Sequence, residues 1–259
     1  GTNGGVYIRS QDSEGNENEE RIYHNDIYIV KRIVDLELGE SVVVRLHLPR
    51  DGVREFTLPL TAVTSKEELR KNMSMHGVAV SRVEKLMEYI TTWVNELQEK
   101  EVAEKAYRQF GWIDDEATGF VLGNQMILKD EVVFNPPSKA TVGMFPAFEP
   151  QGTLDEWREV INFYNKPGFE LHQYATCTGF GSVLMQFIDD IACSALHLYS
   201  KESGLGKTTA MKASASIWGD PAELVINEQD THNTKMNRSE VLHNLPLLID
   251  ELTNAKSEA

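Results

Sequence analysis

The chain has 259 residues, 25 Lys and Arg against 40 Asp and Glu for a formal charge of −15, and 41% hydrophobic residues. This composition is ordinary for a soluble globular protein, excludes wholesale disorder, and allows one large domain or two moderate ones. No apolar run approaches the roughly 20 residues of a membrane span, and so acidic a total argues against phosphate-backbone binding unless a basic patch forms locally.

The opening residues Gly1-Thr2-Asn3-Gly4-Gly5 carry no signal-peptide pattern and read as a cloning remnant or an internal start. Residues 11–20 hold five acids and no base, which predicts a solvated loop, with an acidic interaction tail as the other reading. From 22 to 60 the text is strand-like. Ile27-Tyr28-Ile29-Val30, residues 41–48 and residues 54–58 are rich in apolar and β-branched side chains, and Asp51-Gly52 signals a tight hairpin. Ser65-Lys66-Glu67-Glu68 is a capping-box pattern, opening a helix that Gly77 can end. Val83, Leu86, Met87, Ile90, Val94 and Leu97 then recur at helical spacing, which predicts a core-facing stripe. Residues 111–134 return to strand-like text, broken at Asp114-Asp115 and Gly123-Asn124. Pro136-Pro137 and residues 146–152 mark a boundary, so an α+β region over 1–152 is expected to precede a second domain over 153–259.

Beyond the boundary, helices alternate with strands. Thr153-Leu154-Asp155-Glu156 is a second capping box, for a helix running to about Tyr164. Residues 193–199 read as a buried strand, 208–218 as a helix, Leu224-Val225-Ile226 as a short strand, 233–243 as a helix and 245–249 as a strand. Such alternation predicts an α/β fold with a parallel sheet and crossover helices. Cys177 and Cys193 fall in no CxxC or Cys/His cluster, which fits a reducing, cytoplasmic setting.

Between the strand and helix expected on either side lies Ser200-Lys201-Glu202-Ser203-Gly204-Leu205-Gly206-Lys207-Thr208-Thr209. It follows the phosphate-loop (Walker A) pattern from Gly206 onward, with Lys201 in place of the first glycine. Glycines let the backbone approach an anion, and successive N–H groups form a nest at a helix N-terminus. Ser203, Gly204, Leu205, Gly206, Lys207, Thr208 and Thr209 are thus the nucleotide-binding candidates. Lys207 would reach the β- and γ-phosphates of ATP, and the Thr208 hydroxyl would ligate Mg²⁺. The bland alternative is a glycine-rich turn with an exposed lysine. Four aliphatics in Leu245-Pro246-Leu247-Leu248-Ile249 lead into Asp250 and Glu251, placing two carboxylates at a strand's C-terminal edge. Asp250 would hold Mg²⁺ through water and Glu251 would act as general base, unless the strand simply meets solvent there. Thr231 and Asn233 read as a helix cap or as groups facing the γ-phosphate, and Trp112 and Trp218 as core. The seven histidines show no metal-ligand spacing.

Phe110-Gly111-Trp112, Gly119-Phe120-Val121-Leu122-Gly123, the loop running into Ala213-Ser214-Ala215-Ser216-Ile217-Trp218-Gly219-Asp220-Pro221, and residues 245–252 together resemble the domain of unknown function 927 family. The resemblance implies a P-loop ATPase core with a catalytic glutamate, found beside primase or helicase modules in phage and mobile-element proteins and working as a homo-oligomeric ring on DNA. A DNA helicase or translocase is therefore expected. A signalling or defence ATPase that never touches DNA and a nucleotide-gated assembly module are the competing readings. Because the sequence ends shortly after Asp250, the ATPase sheet is expected to be incomplete at its C-terminal side, with little turnover of its own. Arg238 is then a remote choice for an arginine finger donated by a neighbour.

Overall fold

The chain opens with an antiparallel hairpin, β1 (Val6–Gln11) with β2 (Glu17–Tyr23), where the acid-rich text predicts a loop. A charge run signals exposure, and a strand meets that condition as well as a loop does. Arg9 pairs with Glu19 across the ladder at 3.1 Å, while Val6, Ile22 and Tyr23 anchor the other end in the core.

Next come β3 (Ile27–Asp35), β4 (Gly39–Leu48) and β5 (Gly52–Pro59), antiparallel neighbours as the hairpin signal predicts. Gly52 carries the turn at φ 80°, a conformation that costs other residues a steric penalty. Helix α1 (Leu60–Val63) is a single turn, and α2 (Lys66–Met75) starts where Ser65 Oγ accepts from the Glu68 N–H at 3.4 Å. Helix α3 (Val83–Lys100) buries Val83, Leu86, Ile90, Val94 and Leu97, the predicted stripe. These side chains pack on Ile27, Ile29, Val42, Val44, Leu46, Phe56 and Leu58 of the sheet. The two-residue β6 (Glu104–Lys105) adds to β3 in parallel, giving the order β5-β4-β3-β6.

A second sheet is a four-stranded antiparallel meander: β7 (Gly111–Trp112), β8 (Gly119–Leu122), β9 (Gln125–Leu128) and β10 (Val132–Phe134). After a 3₁₀ segment at Val142–Phe148 come α4 (Leu154–Ile161), a 3₁₀ turn at Asn162–Asn165, and α5 (Glu170–Gly181). Thr153 and Glu156 form the full reciprocal capping box on α4. Then follow α6 (Lys207–Ala215), α7 (Pro221–Leu224), β11 (Val225–Ile226), α8 (His232–Val241) and β12 (Leu248–Ile249). Strands β11 and β12 pair in parallel through α8, with Val225 opposite Leu248 and Ile226 opposite Ile249.

The computed structural model describes residues 4–250 apart from 12, 14, 192, 228 and 229. The fold is mixed α/β, with mostly antiparallel pairing. Among the described residues, parallel pairing is confined to β3 with β6, β11 with β12, and a bridge between Phe110 and Leu242, so the continuous parallel sheet that the alternation predicts is not displayed. Residues 193–199, expected as a buried strand, are irregular, with Leu196 and Tyr199 exposed. An apolar run needs a ladder partner to become a strand, and none of the described strands pairs with it. Two compact units emerge, Gly1–Ala106 with Pro136–Lys139, and Tyr107–Asn135 with Ala140–Ala259. The division precedes the meander, whereas the sequence places it at 152/153. The reason is pairing distant in sequence: Phe110 N–H donates to the Val241 carbonyl at 2.8 Å and Trp112 N–H to Asn244 Oδ1 at 3.1 Å, which joins the meander to the later unit. No described helix is long and apolar enough to cross a membrane.

Candidate functional site

The loop before α6 turns on two glycines. Gly204 sits at φ 76° and Gly206, which caps the helix, at φ 77°. A Cβ on Gly206 would also stand 3.1 Å from His172 Nε2, so this position wants glycine on both counts. The first intrahelical bond runs from Ala210 N–H to the Gly206 carbonyl at 2.8 Å. The N–H groups of Lys207, Thr208 and Thr209 therefore precede the ladder, as in any helix start, and carry the positive end of its dipole. Ser203, Leu205, Thr208 and Thr209 are exposed and Lys207 is half-buried. Lys207 Nζ folds back over the loop and donates to the Glu202 carbonyl at 3.2 Å, and among the described residues it makes no ion pair with a carboxylate. An ammonium held by one neutral acceptor keeps its charge uncompensated, and an anion above the loop would meet it together with the leading amides.

Neighbouring elements hold this loop from behind. Helix α5 packs on α6 so closely that a Cβ on Gly179 would lie 2.6 Å from Ser214 Oγ. Trp218 Nε1–H donates to the Gly179 carbonyl at 2.9 Å, and Trp157 Nε1–H to Ser216 Oγ at 2.8 Å. From the first turn of α5, His172 reaches the loop itself. Its Nε2–H donates to the Leu205 carbonyl at 2.8 Å, which fixes the proton on that nitrogen, while Nδ1 is buried without a partner.

Downstream of α6, each position of the Trp-Gly-Asp-Pro run packs or caps. The Trp218 ring lies 5.9 Å from Phe120, and a Cβ on Gly219 would run into the Ala147 carbonyl oxygen. Asp220 caps α7, its carboxylate accepting from Ala222 N–H at 2.8 Å, and Pro221 occupies the first helical turn, where its missing N–H costs nothing. This motif holds the loop helix against the meander.

Asp250 follows β12, where its N–H donates to the Ile226 carbonyl at 2.8 Å, continuing the parallel pairing by one step. Its side chain is half-buried and makes no hydrogen bond or ion pair with Lys207 or Thr208. Ser203 to Thr209 thus come together as one surface, and Asp250 is not joined to them by a direct bond. Glu251 lies outside the described residues. Thr231 acts as the cap of α8, its Oγ1 accepting from Thr234 N–H at 3.2 Å. Arg238 turns inward, donating to the Leu224 carbonyl at 3.1 Å. The residue that sequence reasoning missed is His172, whose partner Leu205 lies 33 positions away and whose neighbours in sequence give no hint of it.

The chain matches the family described as Domain of unknown function (DUF927) over residues 2–259 and belongs to that family. No curated protein matches it.

Proposed function

We propose that this protein binds ATP with Mg²⁺ through the loop at 203–209 and hydrolyses it, as a P-loop ATPase. The observation carrying the reading is Lys207, an ammonium without a carboxylate partner among the described residues, standing at a helix N-terminus between the left-handed glycine turn and the leading N–H groups of α6. That arrangement suits a polyphosphate, because several weak donors and one full charge converge on the same anion. Thr208, with an exposed hydroxyl, and Asp250, at the end of β12, would hold the metal, which supplies charge neutralisation at the transferring phosphoryl group when bound. Glu251, next in sequence, would orient and deprotonate the attacking water. Coupling to DNA, as a helicase or translocase ring in a phage or mobile element, extends this reading and rests on the family resemblance of the sequence.

Calorimetry of Mg·ATP binding tests the core of the proposal. Lys207→Ala should weaken binding by about 10-fold or more, the loss of a charge-assisted contact of about 1.5–3 kcal/mol. Glu251→Gln should keep binding and reduce whatever steady-state turnover the chain shows by roughly 100-fold. Equal ATP affinity in wild type and Lys207→Ala would refute the assignment, and stimulation of turnover by single-stranded DNA would support its DNA-coupled extension.

A further inference from the structure

The phosphate loop accounts for one end of a nucleotide only. Four rings gather beside it: Phe163 and Tyr164 from the 3₁₀ turn at Asn162–Asn165, then Phe169, then His172 at the start of α5. The His172 ring is centred 5.1 Å from Phe169 and 5.4 Å from Tyr164, and Phe169 is 4.9 Å from Phe163. His172 is also the residue that grips the Leu205 carbonyl at 2.8 Å, so the cluster and the loop share a side chain. Tyr164, only 8% exposed, forms the floor. Phe163 is 48% exposed, and the face of its ring turned away from the cluster is covered only by the ammonium of the exposed Lys166, 4.3 Å from the ring centre.

We infer that this aromatic shelf is the base subsite of the phosphate loop, taking the purine ring of the bound nucleotide on Phe163 against Phe169. The inference rests on the phosphate-loop reading above. Stacking needs a flat apolar face at the water boundary, which Phe163 supplies, and rigid backing, which Phe169 and Tyr164 supply. A mobile lysine on that face is no obstacle, because an exposed cation–π contact is weak and its ammonium regains full hydration when a base replaces it. His172 is then a positioning residue: through the Leu205 carbonyl it fixes the phosphate end relative to the base end. Stacking rewards ring area, so purines are favoured over pyrimidines.

Calorimetry on the chain with Mg·ATP, Mg·CTP and Mg·tripolyphosphate decides the matter. Phe163→Ala should weaken ATP binding about tenfold, a typical loss for one stacked base. The same variant should bind tripolyphosphate as wild type does, and Phe163→Trp should restore ATP affinity. In wild type, CTP should bind more weakly than ATP. Unchanged ATP affinity in Phe163→Ala, while Lys207→Ala still loses it, would overturn the shelf and leave the loop reading standing. Equal weakening toward ATP and tripolyphosphate would also overturn the shelf, since the ring would then be acting on the loop's shape. If wild type binds neither ATP nor tripolyphosphate, both readings fall.

Discussion

The sheet of the first compact unit and the candidate loop of the second partner their basic side chains differently. In the first, four basic side chains along the sheet are matched to acids: Lys31 to Glu104 at 2.6 Å, Arg32 to Glu40 at 2.5 Å, Arg45 to Glu55 at 2.5 Å and Arg54 to Asp51 at 3.2 Å. In the second, Arg158 pairs with Asp155 at 3.3 Å, but Lys207 and Arg238 donate to backbone carbonyls and Lys166 lies over a ring. Ion pairs at a half-exposed sheet stabilise little and leave no net field for an anion. Lys207, whose acceptor among the described residues is a neutral carbonyl, stands at a helix N-terminus and leaves a local positive site inside an acidic protein. The lesson is that a total of −15 limits the expected partners far less than the pairing of individual cations does.

Packing differs in the same direction. Helix α3 buries a full stripe, whereas α4 buries none of its residues and Leu205 in the loop is exposed. The comparison predicts the largest stability effect in the first unit. Ile90→Ala, at a position 1% exposed in the core, should cost about 3 kcal/mol in denaturant unfolding. By contrast, Leu205→Ala should stay within about 0.5 kcal/mol of wild type. Similar costs for the two would erase the contrast. Gly219→Ala comes next, because the new methyl meets the Ala147 carbonyl oxygen in the backbone, an atom with little room to move. A loss of about 2 kcal/mol is expected, and a neutral result would show that the Trp-Gly-Asp-Pro run is not packed this tightly.

The smallest effect is a pH dependence within the first unit. His76 stacks on Phe56 with ring centres 3.9 Å apart, and burial pushes its imidazole below the ordinary value. The folded chain therefore binds fewer protons there than the unfolded chain as the pH drops through the imidazole range. This contribution to stability is intact above that range and is lost as the pH falls. Denaturant midpoints of wild type should decline more than those of His76→Gln between about pH 7 and pH 5. Parallel declines would place the titration elsewhere.

What the sequence makes legible is what is local. The α3 stripe and the two capping patterns depend on residues three or four apart; the structure realises the stripe, the full box at Thr153 and Glu156, and the Ser65 half of the first box. The loop at 203–209 is contiguous as well, so its left-handed glycines and its place at a helix start follow from the pattern itself. Non-local pairing is where the reading fails. Acid density in residues 11–20 reports solvent, and β2 satisfies it as an exposed strand. The apolar text of 193–199 carries no instruction about a ladder partner. Gly111, at φ 114° with a prospective Cβ only 2.8 Å from the Asn244 backbone nitrogen, ties the meander to the end of α8, and nothing near it in sequence announces that contact. His172 is the same case at the candidate site.

The most direct test of the phosphate-loop reading is to watch the loop's own amides. In an isotope-labelled chain titrated with Mg²⁺ and a non-hydrolysable ATP analogue, the N–H resonances of Gly204, Gly206, Lys207, Thr208 and Thr209 should show the largest shifts, saturating together. Those of β3, β4 and α3 in the first unit should stay in place. Saturable shifts centred on the first unit, or none at the five loop amides at millimolar nucleotide, would contradict the assignment.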